Sequence, residues 1–107
     1  MKVTYLDHSG FLLECKDRYY VFDYYKGVLP PLDKEKEVLV FCSHCHGDHY
    51  NPKIFDLLDE RGMRYRAVLA SDISDEKRLS KIERSFVNPD QSYRLAGGIQ
   101  VETLLSN

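Results

Sequence analysis

The sequence predicts an α/β (α+β) domain: a mixed, mostly antiparallel sheet carrying two helices. Three observations support this. The first third is a series of short aromatic and β-branched runs split by Gly and Asp, which is the composition of hairpins. An unbroken apolar run, Val38 to Phe41, is followed by Asn51-Pro52 and then by apolar residues at helical spacing. A second strand-like run, Tyr65 to Ala70, precedes a weaker helical pattern between Asp72 and Arg84.

Val3 and Tyr5 alternate with Thr4 and Leu6, and Phe11-Leu12-Leu13-Glu14-Cys15 follows after Ser9-Gly10. Lys16-Asp17 makes a tight turn into Tyr19-Tyr20-Val21-Phe22, which completes an antiparallel meander. Tyr25 to Lys36 holds Gly27, Pro30-Pro31 and a charge run, and reads as a loop. Val38 to Phe41 suits a strand buried on both faces, because a strand with one wet face would alternate. Asn51 is the expected helix N-cap, with Pro52 at the first helical position. Ile54, Phe55, Leu57 and Leu58 form the apolar stripe, and Gly62 is the C-terminal stop. Ile73, Leu79 and Ile82 mark the second helical pattern. Phe86-Val87 is apolar, Asn88-Pro89-Asp90 is a turn, and Tyr93 and Leu95 alternate with polar neighbours. Gly97-Gly98 turns the chain into a strand from Ile99 to Leu105. With no internal repeat or low-complexity linker, residues 1–107 read as one small domain.

Apolar residues make up 43% and charged residues 30%, the balance of a soluble globular protein. A net charge of −2 disfavours a nucleic-acid binder that works by neutralising phosphates. Lys77, Arg78, Lys81 and Arg84 alternate with Asp75, Glu76 and Glu83, which describes a solvated helix face. No run is long enough to span a membrane, and the start lacks the apolar core of a signal peptide. Three cysteines without framework spacing read as reduced thiols, so the expected setting is cytoplasmic.

The chemistry concentrates in Cys42-Ser43-His44-Cys45-His46-Gly47-Asp48-His49. Three of the four histidines fall within six positions, with an aspartate among them. Imidazole and carboxylate are costly to bury unpaired, and a surface loop has no need of three imidazoles. The physical reason to gather them is a borderline divalent metal, most often zinc. His44 and His46, two apart, can point the same way in an extended turn, whereas the adjacent Asp48 and His49 diverge unless the backbone bends. Gly47 supplies that freedom. The pattern thus offers two half-sites, His44 with His46 and Asp48 with His49. Two such metals can share a hydroxide and clamp a substrate. The segment sits between a buried strand and a helix start, where α/β folds usually place reactive groups.

This His44-x-His46-x-Asp48-His49 pattern resembles the signature of the metallo-β-lactamase superfamily, in which it also follows a buried strand and precedes a helix. Leu6-Asp7-His8-Ser9-Gly10-Phe11-Leu12-Leu13-Glu14 resembles the first hairpin of the zinc-dependent hydrolases related to L-ascorbate-6-phosphate lactonase. Pro89 to Leu105 is similar to a later strand pair of those proteins. The resemblance implies half of an αββα sandwich. It implies His44 and His46 as ligands of a first metal, and Asp48 and His49 as ligands of a second. Asp48 would also position or deprotonate the attacking water. The metals implied are one or two zinc ions, with iron or manganese as substitutes. His8 matches a position near the floor of the family's site and is not assigned as a ligand.

The family domain is longer and is built of two similar halves, the second of which supplies further histidines and a bridging aspartate. This sequence has no histidine after His49. Catalytic zinc takes about three protein ligands, and each half-site offers two, so this chain alone is expected to bind metal weakly or not at all. It reads as the N-terminal half of such a domain: a natural truncation, a split gene product or a shortened piece. Self-association or pairing with a complementary second half is expected to cover the exposed sheet face and edge.

Cys42-x-x-Cys45 also has the spacing of half a zinc knuckle, completed by His46 or His49, but four ligands within eight residues wrap an ion poorly. Cys42 is better read as a small buried residue at the strand end. Cys45 is placed at the site rim without a role, and Cys15 in the core or at a strand edge. The Tyr19-Tyr20 and Tyr24-Tyr25 pairs read as sheet packing. Asp23, at a strand end, either caps a turn or supports a metal-binding histidine from behind, and the turn is preferred. The function expected is hydrolysis of an ester, lactone, amide or phosphoester by a metal-bound hydroxide, with a small-molecule substrate. The alternative is a catalytically inert half-domain acting as a structural or assembly module.

Overall fold

The computed structural model describes residues 1–7, 10–43, 50–75, 79–88 and 91–103. Strands β1 (Lys2–Asp7), β2 (Gly10–Glu14) and β3 (Arg18–Phe22) come first, then β4 (Glu37–Cys42) and helix α1 (Lys53–Glu60). Next are β5 (Tyr65–Ala70), β6 (Arg84–Val87), β7 (Ser92–Leu95) and β8 (Ile99–Glu102). The first six strands form one sheet in chain order, and β7 and β8 form a separate hairpin.

The meander expected in the first third is present, with β1, β2 and β3 paired antiparallel. From β3 onward the sheet is parallel, through β4 and β5 to β6. The expectation of a mostly antiparallel sheet is therefore corrected. The physical reason lies in β4, where Val38, Leu39 and Val40 are all fully buried. A strand apolar on both sides belongs between covered faces, and parallel strands with crossover connections provide that cover. Val38 and Val40 enter the main core with Leu12, Val21, Ile54, Phe55, Leu58 and Leu69. Leu39 points the other way, onto Val68 and Ile99.

Helix α1 crosses from β4 to β5 and buries Ile54, Phe55 and Leu58 against the sheet. Burial of each such side chain is worth about 1.5–3 kcal/mol, so packing rather than propensity holds this short helix. Asn51 works as foreseen, displaced by one position. The helix cap falls at Pro52, but Asn51 Oδ1 accepts the Lys53 N–H at 3.1 Å. At the other end Gly62 has φ +68°. Its N–H donates to Asp59 O, and Met63 N–H donates to Leu58 O, the paired bonds of a left-handed helix stop. The long connection from β3 to β4 is pinned beside the helix, since Arg61 donates to Leu29 O at 2.7 Å and to Pro30 O at 2.5 Å.

The second expected helix is corrected as well. Among the described residues α1 is the one helix. Ile73, Leu79 and Ile82 are buried as the pattern foresaw, but Arg84 already belongs to β6. Among the described residues of the segment, Leu79 N–H donates to Asp75 O at 2.8 Å. Weak periodicity reports burial correctly, but the described residues around Leu79 run through turns on either side before β6 begins at Arg84. Glu76, Lys77 and Arg78, named for a solvated helix face, lie outside the described residues, as do Pro89, Asp90, Leu104 and Leu105.

The β7–β8 hairpin turns at Gly97 and Gly98, both with positive φ, and rests on the sheet face opposite α1. Ile99 is buried there, with Leu95 and Val101 packed beside it. Arg18 Nη1 donates to Gly97 O at 3.3 Å, which docks the turn on the start of β3. Toward β1 the hairpin leaves this face uncovered. Val3, Tyr5 and Phe11 are 61%, 60% and 41% exposed, and register puts them on one face, Tyr5 opposite Phe11.

Candidate functional site

Because β3, β4 and β5 run parallel, their carboxyl ends meet on one rim. That is the end where a loop is held rigidly yet stays open to solvent. Strand β4 ends at Cys42, and the His-rich segment begins two residues later. His44, His46, Asp48 and His49, the expected metal ligands, lie outside the described residues, together with Cys45 and Gly47. The same is true of His8. The described structure supplies the frame on either side of the segment.

On the upstream side the frame is Asp23. It follows β3 with φ +47°, a left-handed conformation that aspartate tolerates better than most residues. Its N–H donates to Phe41 O at 2.8 Å, which closes the end of β3 against β4. Its carboxylate then accepts twice from Ser43, from the N–H at 2.7 Å and from the hydroxyl at 2.7 Å. Asp23 thus bends the chain after β3, but its carboxylate caps no local turn among the described residues: it grips Ser43, the residue immediately before His44. Whether it supports a histidine directly falls outside the described residues.

Cys42 is 3% exposed and part of the main core. Burial, and then the negative charge of Asp23, push its thiol up to about 12. This is the small buried residue expected from sequence, and a protonated thiol facing the core is poorly placed to complete a zinc knuckle. Cys15 is half-buried and also a free thiol.

On the downstream side two contacts fix the chain as it leaves the segment. The Tyr50 hydroxyl donates to Asp75 Oδ2 at 2.8 Å. The Asn51 side-chain amide donates to Tyr25 O at 2.6 Å. Tyr25 sits in a loop kept close to β1 by Gly27, whose φ is +114° and where an added Cβ would overlap Leu6 O. Tyr24, buried in that loop, donates its hydroxyl to Gly27 O at 2.9 Å, and burial raises its pKa. Lys26 pairs with Asp7 at 3.8 Å across the same rim.

No local signal in the sequence marks Ser43, Tyr50 or Asp75 as parts of this frame. Their partners lie 20 to 25 positions away, and no periodicity links such positions. Among the described residues no group of three or more His, Cys, Asp or Glu side chains comes together to hold a metal. The donor set is therefore judged on its chemistry. Three imidazoles and a carboxylate suit zinc, and also iron or manganese, and the frame would present them at the open ends of buried strands.

A mixed sheet with parallel central strands, and a histidine-rich segment directly after one of them, places the chain in the α/β class. The chain belongs to the family of beta-lactamase superfamily domains, whose model matches residues 2–106. No curated protein matches it.

Proposed function

We propose that the chain carries the first half of a metal-dependent hydrolase site. His44 and His46 would hold one ion, and Asp48 and His49 a second. The observation that carries this reading is the His44-x-His46-x-Asp48-His49 segment at the carboxyl end of β4 in a chain of this family. When bound, one or two zinc ions (or iron or manganese) would activate water and polarise the carbonyl or phosphoryl group of a small substrate. Asp48 is the group within the chain suited to orient that water and take its proton. The Asp23 carboxylate holds the backbone that leads into His44. An ester, lactone, amide or phosphoester is the substrate class, and the similarity of the first hairpin favours a lactone.

The test is hydrolysis of a lactone and ester panel by zinc-supplemented protein. Turnover that disappears with chelator and in His46→Ala supports the reading. Equal turnover in His46→Ala overturns it.

One observation favours a second reading. No histidine follows His49, so each half-site counts two ligands where catalytic zinc takes about three. In that reading the chain is inert alone and acts as an assembly module. The remaining ligands would come from a complementary half, and the exposed Val3, Tyr5 and Phe11 strip is the surface that favours such pairing.

A further inference from the structure

The β7–β8 hairpin covers only part of the sheet face opposite α1. Ile99 sits on Leu39 of β4 and Val68 of β5, and the part formed by β1, β2 and β3 is open. Register puts Tyr5, Phe11 and Phe22 in one row of that part and Val3, Leu13 and Tyr20 in another. Between it and the hairpin runs a groove of about 460 Å³, with Leu13, Tyr20, Phe22 and Phe41 as its floor and Ile99 and Val101 on its wall. One cation, Arg18, and one anion, Glu102, also line it, so the groove has no net charge.

The wall is also a strand edge. Strand β8 lines the groove and β7 does not. Among the described residues β8 pairs with β7 alone, and β1 with β2 alone. Thr103 N–H donates to Gln91 O at 2.8 Å. In this antiparallel register the residues bonded to β7 are then Thr103, Val101 and Ile99. The N–H and C=O groups of Gln100 and Glu102 point the other way, towards the groove. An apolar floor beside free backbone donors and acceptors is a seat for an extended strand.

We propose that this seat is filled by β1 of a second copy of the chain. Strand β1 has the matching needs, an unpaired edge and the exposed Val3 and Tyr5 on this same face. A two-fold axis meets both at once: the open faces stack, and β1 of each copy lies beside β8 of the other. Val3, Tyr5, Phe11, Leu13, Tyr20 and Phe22 carry no charge, so the face can meet itself without setting like charges together. Val3, Tyr5 and Phe11 leave roughly 300 Å² exposed per copy. With the groove and both edges the contact is on the order of 1,000 Å² in all, the low end of specific interfaces, so association in the micromolar range is expected. The proposal is independent of the metal reading and gives the assembly reading a definite partner.

The test is sedimentation of the intact chain between about 1 and 500 μM, with amide hydrogen exchange measured at both ends of that range. A dimer is expected at the high end, with slower exchange at Gln100, at Glu102 and along β1. Gln100→Pro removes an N–H that β7 does not use and should weaken association about tenfold or more. Arg94→Pro makes the same change at the residue opposite Gln100, on the far edge of the hairpin, and should leave association unchanged. A monomer at every concentration overturns the proposal. So does a dimer whose Gln100 and Glu102 amides exchange as fast as the monomer's, a result that decides the matter even where Gln100→Pro fails to fold. None of these readouts involves a metal, so the hydrolase reading stands or falls separately.

Discussion

Replacing Asp23 by alanine tests the frame of the site at its upstream joint. The substitution removes both acceptors of Ser43, each at 2.7 Å. These bonds lie at the surface, where water replaces part of what is lost, so about 0.5–1 kcal/mol each is appropriate. Alanine must also adopt the φ of +47° that Asp23 occupies, which costs about 1 kcal/mol more. The total is about 2–3 kcal/mol, or a fall in Tm of about 10–20 °C for a domain of this size. Asp23→Asn should lose under about 1 kcal/mol, because its amide can still accept from the Ser43 N–H and the Ser43 hydroxyl can reverse to accept from the amide. Ser43→Ala removes one bond and should cost about 0.5–1 kcal/mol, well short of Asp23→Ala. Urea unfolding of the three variants gives the comparison. Asp23→Ala within about 0.5 kcal/mol of wild type would refute the reasoning, because neither the paired bonds nor the turn would then hold the strand ends together.

Other perturbations probe separate parts of the account. Gly27→Ala forces a Cβ onto Leu6 O at φ +114° and should cost more than about 3 kcal/mol, whereas Gly62→Ala, with open space around its Cβ, should cost only about 1 kcal/mol; thermal melts of both variants check the order. The raised Cys42 thiol makes stability depend on pH. The unfolded thiol ionises above about 8.5 while the folded thiol stays protonated up to about 12, so the unfolded state binds fewer protons in that window. Stability is therefore intact below pH 8.5 and is lost as pH rises towards 12, about 1–2 kcal/mol of it by pH 10; Cys42→Ala should flatten that fall in urea titrations, and an equally steep fall would count against it. The apolar strip of Val3, Tyr5 and Phe11 should drive self-association that Tyr5→Lys/Phe11→Lys weakens. Sedimentation of the wild type as a clean monomer at high concentration would remove that expectation.

Much of the fold was readable because it is local. The hairpins, the doubly buried β4, the Asn51-Pro52 helix start and the Gly62 and Gly97-Gly98 turns each rest on residues a few positions apart. Pairing direction was not readable in the same way. Whether β3 and β4 lie parallel depends on how the chain from 23 to 36 packs back across the sheet, and that is set by tertiary contacts such as Arg61 with Leu29 and Pro30. The second expected helix, which the described residues do not show, is the converse. Ile73, Leu79 and Ile82 share a face because they are buried, and burial at roughly helical spacing does not require a helix. The ligand types of the candidate site came from sequence alone, and its frame did not. Asp23 with Ser43 and Tyr50 with Asp75 join loop residues 20 and 25 positions apart, and only the folded sheet brings such pairs together.

The central claim is that His44, His46, Asp48 and His49 form the ligand set of a hydrolase metal site, and direct titration of the purified chain with zinc tests it most closely. The account predicts saturable uptake of one or two ions, weak because each pair is short of the about three protein ligands of a catalytic zinc site, and lost when His44 and His46 are replaced by alanine. No saturable uptake, or uptake unchanged by those replacements, would contradict it.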